Sequence, residues 1–238
     1  MHQLDRSSVS APVCLTGYDY RTQTWADLDS GCKRQVRLAL QRIQGQQIAT
    51  DDAEDNAEFI LGLRCAYCEG AIRHGGHLEH FRRKNRSHPN GYPELTFAWE
   101  NLFLACASQA HCGHYKDRPG ADAYDPDELI KPDIHDPDVF LYFHSTGEVL
   151  VRNTRPGITD DERRRASETI RVFNLDCGTL RGARSRALKT YSDRNHGILE
   201  FLMACDVADR EAFIREEIEA TRWEPYATTI KHFFEKAA

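Results

Sequence analysis

Between Cys65 and Lys116 the chain reads Cys65-Ala66-Tyr67-Cys68, His77-Leu78-Glu79-His80-Phe81, Trp99-Glu100-Asn101-Leu102, Cys106, and Cys112-Gly113-His114-Tyr115-Lys116. Two cysteine pairs thus enclose a Glu-His dipeptide and an Asn-Leu dipeptide. The segment between the pairs is short, rich in turn-forming residues and too polar to bury a core of its own. Its fold therefore has to be fixed from its two ends, where the cysteines lie.

The four cysteines have the pattern of a structural zinc site. Cys65 and Cys68 are separated by the usual two residues, and Cys106 and Cys112 supply a second pair. Four thiolates hold tetrahedral zinc, and the binding free energy of the metal then becomes folding free energy. We predict a structural Zn²⁺ on these cysteines. The five residues within the second pair leave His111 as an alternative ligand.

His80 and Glu79 are the candidates for catalysis. An imidazole with a pKa near 6.5 can accept a proton from attacking water at neutral pH, so we expect His80 to act as a general base. The Glu79 carboxylate suits a hard divalent cation, Mg²⁺ or Mn²⁺, which would stabilise charge on a phosphate. Glu79 has an alternative role as the ion-pair partner of Arg82 or Arg83. A single strand histidine is otherwise more often a packing residue.

An amide and a further imidazole complete the set. Asn101 is predicted either to bind the catalytic metal or to hold the loop that carries the base through its side-chain amide. His114 is predicted to complete the metal site, with His77 and His111 as substitutes. A cap or turn role would explain Asn101 without any catalytic function.

Positive charge is concentrated around these residues, although the whole chain has a net charge of −6. Residues 64–118 contain eight basic and five acidic side chains, so the flanks together carry −9. Phosphate affinity comes from clustered Lys and Arg. We therefore expect nucleic-acid contacts from a basic cluster and one later lysine: Arg82, Arg83, Lys84, Arg86 and Lys116.

This constellation resembles the HNH, or ββα-metal, endonucleases. The resemblance implies hydrolysis of phosphodiester bonds by a metal held between a β-hairpin and a helix. In the related pattern a His or Asn usually follows the last cysteine directly, where this chain has Gly113.

A wider similarity joins the chain to the PtuB HNH subunits of Septu-type and retron-linked antiphage systems. It covers most of the sequence, at Trp25, the helix up to Gln47, residues 65–69, 79–81, 99–106, 129–132 and 136–137, the hairpin with Gly147, and residues 169–170 and 174–175. Members of that family act with an ATPase of the ABC or SMC-like type. The resemblance therefore implies an ATPase partner and makes the acidic flanks docking surfaces.

The remaining sequence predicts an α+β protein in four segments: a helical preface at 1–63, the zinc-stapled nuclease core at 64–118, a connector with a β-hairpin at 119–158, and a helical region at 159–238. Helices are expected at 28–44, 51–63, 180–202, 210–221 and 227–234, with another opened by a Thr159-x-x-Glu162 capping box. Hairpins are expected with Gly75-Gly76 at the tip before a strand at 78–81, and at 139–151 around Ser145-Thr146-Gly147.

Composition favours an ordinary globular protein, with 238 residues, about 40% hydrophobic and 29% charged. No apolar stretch approaches the roughly 18 residues that span a bilayer, and residues 1–17 lack the pattern of a signal peptide. We expect a cytoplasmic protein, in which thiols stay reduced. Four further cysteines are accordingly interpreted as ordinary buried thiols: Cys14, Cys32, Cys177 and Cys205.

Two other functions remain open. A noncatalytic zinc-knuckle module that binds nucleic acid or protein would need none of the catalytic residues, and a regulatory subunit of an ATPase would need no cleavage. DNA is the favoured substrate of the endonuclease reading, and RNA, such as tRNA, is the alternative. HNH chemistry attacks phosphorus and does not require one particular sugar.

Overall fold

Helices and short strands are interspersed along the chain, and the computed structural model describes residues 1–48, 59–72, 76–88 and 90–237. Within these ranges it contains α1 Ser30–Gln44, α2 Cys112–Lys116, α3 Asp160–Phe173, α4 Gly178–Arg194, α5 Ile198–Ala204, α6 Val207–Thr221 and α7 Ala227–Ala237. The strands are β1 Gln46–Ile48, β2 Phe59–Leu61, β3 His77–His80, β4 Leu102–Ala105, β5 Leu141–Phe143 and β6 Val149–Val151. They pair as three antiparallel two-stranded sheets, β1–β2, β3–β4 and β5–β6. The predicted α+β class is confirmed.

The unit β3–β4–α2 carries most of the candidate site. In the register of the sheet His77 lies opposite Ala105 and His80 lies opposite Leu102. All four residues of β4 are buried, and α2 begins seven residues after that strand ends. His114 thus lies in the middle of the short helix α2.

A glutamine fastens the N-terminal helix to this unit. Gln44, the last residue of α1, is buried, and its Nε2 donates to the carbonyls of Arg64 at 2.9 Å and Leu104 at 2.8 Å. Its Oε1 accepts from the Leu104 amide at 2.8 Å. Because a buried amide needs all of these partners, Gln44 fixes the end of α1 against β4.

The C-terminal region is helical, as its sequence predicts, although the bounds of the helices differ from those expected. Thr159 accepts from the Glu162 amide, and the Glu162 carboxylate accepts from the Thr159 amide, so the predicted capping box is present. Helix α3 ends at Asn174 in the left-handed conformation. The predicted helix at 180–202 is two helices, since Gly197, with φ of +80°, separates α4 from α5. No helix in the described ranges is both long and apolar enough to cross a membrane.

Two groups of buried apolar residues hold the elements together. The larger group draws on the N-terminal residues, α1, the cysteine turn, β4, the hairpin β5–β6, α3 and the start of α4. The smaller group joins α4, α5, α6 and α7. Described residues of the three predicted segments 1–63, 64–118 and 119–158 thus share one core with the beginning of the helical region.

Two local predictions, a helix at 51–63 and a hairpin before the strand at 78–81, differ from the described structure. Residues 59–61 form β2 rather than the end of a helix, since they pair with β1 in antiparallel register; residues 51–58 of that prediction lie outside the described residues. Gly75 also lies outside them. The strand at 77–80 pairs with β4 rather than with a preceding strand, because the chain before it forms the cysteine turn, closed by a bridge between Arg64 and Ala71.

The prediction that Cys14 and Cys32 are separate buried thiols is wrong. The two cysteines form a disulfide with their Cα atoms 5.7 Å apart. Tyr18 and Trp25 lie in the loop that this bond closes, and both rings pack against Phe97. Spacing along the chain could not predict the pairing, since it depends on how that loop folds back onto α1. Cys177 and Cys205 are free and only partly buried.

Candidate metal centre and active site

The four predicted zinc ligands lie together. The sulfurs of Cys65, Cys68, Cys106 and Cys112 are all within 4.8 Å of one another. Cys65 Sγ lies 3.8 Å from Cys112 Sγ, and Cys68 Sγ lies 4.0 Å from Cys106 Sγ. Since Zn–S bonds of about 2.3 Å place sulfurs about 3.8 Å apart in a tetrahedron, the spacing fits a structural zinc.

The backbone around the cysteines is shaped for this cluster. The Cys65 amide donates to the Gly70 carbonyl at 2.9 Å, and the Gly70 amide donates to Cys68 Sγ at 3.4 Å. Cys106 follows β4 directly, and Cys112 opens α2. The cluster therefore joins the turn before β3, the end of β4 and the start of α2.

His111, the alternative zinc ligand, lies beside the sulfurs. Its Nδ1 is 3.2 Å from Cys112 Sγ and 3.7 Å from Cys106 Sγ. These are distances for hydrogen bonding to sulfur, and the four cysteines complete a tetrahedral set without an imidazole. His111 is thus placed as a neighbour of the cluster that supports two of its thiolates.

Glu79 is a buried carboxylate with a cation on one oxygen and an imidazole on the other. Its Oε1 lies 3.0 Å from Lys116 Nζ, and its Oε2 lies 3.0 Å from His77 Nε2. Burial alone would raise the pKa of the Glu79 carboxyl, but Lys116 and His77 outweigh it and lower that pKa to about 2. Glu79 is therefore ionised at neutral pH although only 5% of it is exposed.

The partner of Glu79 differs from both alternatives suggested by the sequence. Neither Arg82 nor Arg83 pairs with it; Lys116 does, from the end of α2. Lys116 is 1% exposed and also donates to the His80 carbonyl at 3.0 Å and to Asp117 Oδ1 at 2.9 Å. The expectation that Lys116 contacts phosphate is therefore not met, because its ammonium is buried and fully used inside the protein.

Gly113 lies directly against this carboxylate. A Cβ at position 113 would overlap the carboxyl group of Glu79, well inside van der Waals contact. The residue after the last cysteine thus has no side chain because the carboxylate occupies that space. A histidine or asparagine, the usual residues of the related pattern, could not be accommodated there with Glu79 in its present position.

His77 and His114 lie on the same side as Glu79. Their rings stack with centroids 4.0 Å apart, and His77 contacts the carboxylate directly. Burial and then the proximity of His77 lower the pKa of His114. One carboxylate and two imidazoles form a donor set that can hold a divalent cation. Among the described residues, however, only the four sulfurs form a group of three or more such ligands within 4.8 Å.

His80 extends from β3 in the direction opposite to Glu79, as neighbouring residues of a strand do. It is 3% exposed, and its Nε2 lies 3.0 Å from the Thr96 carbonyl oxygen. The Trp25 ring packs against it edge-on, with the two ring centroids 4.5 Å apart. Burial, followed by the charge of Lys84, lowers the pKa of His80 to about 3. The imidazole is therefore neutral at physiological pH, and in this conformation it is a weaker base than the imidazole with a pKa near 6.5 that the sequence led us to expect. A carbonyl accepts only, so Nε2 carries the proton and Nδ1 has the free lone pair.

Asn101 holds the loop that follows β3. The side chain is 2% exposed; its Oδ1 accepts from the Arg82 amide at 2.7 Å, and its Nδ2 donates to the carbonyls of Arg82 at 3.0 Å and Leu95 at 3.1 Å. Of the two roles that the sequence left open, this geometry is that of loop support. The bonds fix the backbone directly after His80.

Most of the predicted nucleic-acid contacts are tied to other groups. Arg82 pairs with Asp127 and lies over the Tyr92 ring. Arg83 is buried and donates to Asp117 at 2.7 Å, and Arg86 reaches backbone carbonyls at 3.5 Å in the loop closed by the disulfide. Lys84 is the exception, since no hydrogen bond or ion pair joins it to another described residue. Sequence reasoning missed the ion pair of Lys116 and the cover that Trp25 provides, since neither leaves a local signal.

Removing one zinc ligand is expected to lower both zinc content and stability. Cys68→Ser should leave a protease-sensitive protein, because zinc binding contributes on the order of 10 kcal/mol to the folding of such sites. Elemental analysis and limited proteolysis measure the two effects. Cys205→Ser, which changes a thiol outside the cluster, is the matched control and should behave as wild type. A stable, zinc-free Cys68→Ser protein would contradict the assignment.

The buried state of His80 predicts a pH dependence of stability. Between pH 6.5 and about 3 the unfolded chain binds a proton at this residue that the folded chain does not bind. Stability should therefore fall as the pH falls through this window, by up to about 1.4 kcal/mol per unit. Urea unfolding at pH 7.5, 6.0 and 5.0 measures this slope. His80→Gln should have a shallower slope; equal slopes would show that His80 does not contribute.

Comparison with known proteins leaves these residues as the basis for assigning a function. No protein-family model matches the sequence, and a search of curated proteins finds no match. The donor atoms of the site, their distances and their burial are therefore the basis for a proposed function.

Proposed function

We propose that the chain is a metal-dependent HNH endonuclease that hydrolyses phosphodiester bonds of nucleic acid, with DNA as the favoured substrate. The observation that carries the proposal is His80. Its Nε2 is oriented by the Thr96 carbonyl at 3.0 Å, which leaves Nδ1 as the proton acceptor. Burial makes the imidazole a weak base in this conformation, so the base role requires that the site open to solvent, which would raise the pKa of His80. His80 lies on a zinc-stapled β–β–α unit next to an ionised carboxylate.

In this proposal His80 accepts the proton of the attacking water, and Asn101 keeps the following loop in place. Glu79, with His77 and His114, would hold Mg²⁺ or Mn²⁺, which when bound neutralises charge on the scissile phosphate. The Lys116 ammonium occupies one oxygen of Glu79 in this conformation. Metal binding must therefore displace or share that contact.

The burial of His80 supports a closed resting conformation. The Trp25 ring packs edge-on against the imidazole, and His80 is only 3% exposed. In this proposal the loop that carries Trp25 moves when substrate binds. An enzyme held in this way needs an activating event, and the resemblance to antiphage systems suggests an ABC or SMC-like ATPase as its source. The chain would then be the cytoplasmic effector subunit of a defence complex.

The same observations favour a second function of another class. A carboxylate neutralised by lysine and a buried histidine are also what a noncatalytic zinc-knuckle module would have. Such a module would bind nucleic acid or regulate an ATPase without cleavage. The two functions differ in one measurable respect, which is hydrolysis dependent on His80.

The nuclease proposal predicts divalent-metal-dependent cleavage that His80→Ala reduces by roughly 10²- to 10⁴-fold, the usual contribution of a general base. Plasmid, single-stranded DNA and tRNA are incubated with the chain, alone and with the coexpressed ATPase, in Mg²⁺ or Mn²⁺. His196→Ala, which changes an exposed histidine between α4 and α5, is the control. Cleavage of no substrate under any condition, or equal cleavage by His80→Ala, would favour the noncatalytic function.

The ATPase partner is proposed to bind near the corner between α5 and α6. Phe201, Met203 and Val207 are exposed there, Met203 to 83%. Exposed apolar groups close together often mark a protein interface. Met203→Asp combined with Val207→Asp should abolish coelution with the ATPase in size-exclusion chromatography, because charge would be buried in an apolar contact. Leu150→Asp, at an exposed apolar residue on β6, should leave the complex intact; coelution of the double variant would contradict this surface.

A further inference from the structure

A cleft of about 430 Å³ lies beside the candidate site, between the loop after β3 and the turn after α2. Its walls come from two short segments: Arg83, Lys84, Asn85 and His88 on one side, and Asp117, Arg118, Pro119, Gly120 and Ala121 on the other. Three of these side chains are permanent cations and one is an acid. The cleft therefore combines concave shape with an excess of positive charge.

The single acid of the cleft is already paired. Asp117 Oδ1 accepts from Arg83 Nε at 2.7 Å and from Lys116 Nζ at 2.9 Å. Arg83 additionally donates to the Lys116 carbonyl. Asp117 and Arg83 thus satisfy each other as part of the wall, and this ion pair leaves the other two cations without a carboxylate.

Lys84 is the first of these two cations. Its side chain is partly buried, and no hydrogen bond or ion pair joins it to any residue in the described part of the chain. Burial lowers the pKa of Lys84, and Glu79 and Asp117 act on it only through space. Burying an unpaired ammonium is costly, so this position favours an anion from outside the chain.

Arg118 is the second. Its guanidinium stacks on the Tyr115 ring at 3.6 Å, and Nη1 donates to the Tyr115 carbonyl at 2.7 Å. No carboxylate of the described residues lies within ion-pair distance of it. Stacking fixes the plane of the guanidinium and leaves other N–H groups free to donate, which is the arrangement that recognises phosphate oxygens.

The cleft is also close to the candidate catalytic residues. Lys84 follows His80 by four residues. The pKa of His80 is lowered mainly by the burial of the imidazole and next by the positive charge of Lys84. Lys116, which joins Asp117 to Glu79, connects the cleft wall to the carboxylate. An anion held by Lys84 would thus lie near both His80 and Glu79.

We propose that this cleft binds a backbone phosphate of a polynucleotide through Lys84 and Arg118. The inference rests on the proposed nuclease function and names the residues that position its substrate. The residues proposed to bind phosphate therefore differ from those expected from the sequence. Arg82, Arg86 and Lys116 are left out because their side chains contact other groups of the protein, and Arg118, which lies outside the basic run, is added. Since the ligand is a backbone phosphate, the cleft holds DNA and RNA alike.

Fluorescence anisotropy tests the cleft without requiring cleavage. A labelled 20-mer, as DNA and as RNA of the same sequence, is titrated with zinc-loaded protein at 50 to 200 mM salt, without added Mg²⁺ or Mn²⁺. Lys84→Ala and Arg118→Ala should each weaken binding at 50 mM salt by roughly three- to tenfold on both oligonucleotides. Each should also reduce the slope of log K against log salt by about 1.

Arg163→Ala and Lys189→Ala are the controls, since both remove exposed cations from the C-terminal helices. They should keep the wild-type affinity and slope. Zinc content and thermal melting establish that each variant is folded, and Lys84→Gln replaces Lys84→Ala where melting shows that the alanine variant unfolds.

The outcomes separate this inference from the proposed function. If both cleft variants keep the wild-type affinity and salt slope, the cleft does not bind phosphate and the inference is wrong. It is also wrong if the wild-type chain binds neither oligonucleotide at 50 mM salt. Weakened binding in the variants, together with no cleavage by the wild type in Mg²⁺ or Mn²⁺, would uphold the cleft and reject the nuclease.

Discussion

The site depends on the contact between four sulfurs. The turn at 65–68, the end of β4 and the start of α2 are short pieces of the main core, and they meet where the cysteines meet. Fixing α2 relative to β4 also fixes Lys116 relative to Glu79, because these residues lie on elements that the cluster joins. A structural metal such as zinc on these four sulfurs would thereby fix the geometry around the Glu79 carboxylate.

The two faces of β3 carry different kinds of groups. On one face, charged groups gather: Glu79 with Lys116, and the stacked pair His77 and His114. On the other, His80 is enclosed by Trp25 and the Thr96 carbonyl. Burial has opposite consequences for the two candidate catalytic groups, since Lys116 keeps Glu79 ionised while His80 has no anionic partner and stays neutral. The ionised Glu79 carboxylate and the neutral His80 imidazole are thus held in separate electrostatic environments on the two faces of β3.

The sequence predicted those features that depend on residues close together in the chain or on the ligand requirements of a metal. The capping box at Thr159, the periodicity of α1, the hairpin β5–β6 and the cysteine cluster were all readable, since each depends on neighbouring residues or on a metal with fixed requirements. The partner of Glu79, the cover over His80 and the disulfide between Cys14 and Cys32 were not. Each is formed by residues that are distant in sequence or that approach only after a loop folds back, and pattern and spacing do not contain that information.

The overlap between Glu79 and the space beside Gly113 has a consequence for variation at this site. A glutamate at 79 and any residue with a Cβ at 113 cannot both keep their positions, so the two sites form one steric unit across the hairpin and α2. Among homologous chains, a larger residue at the position of Gly113 should occur together with a shorter acid, such as aspartate, at the position of Glu79.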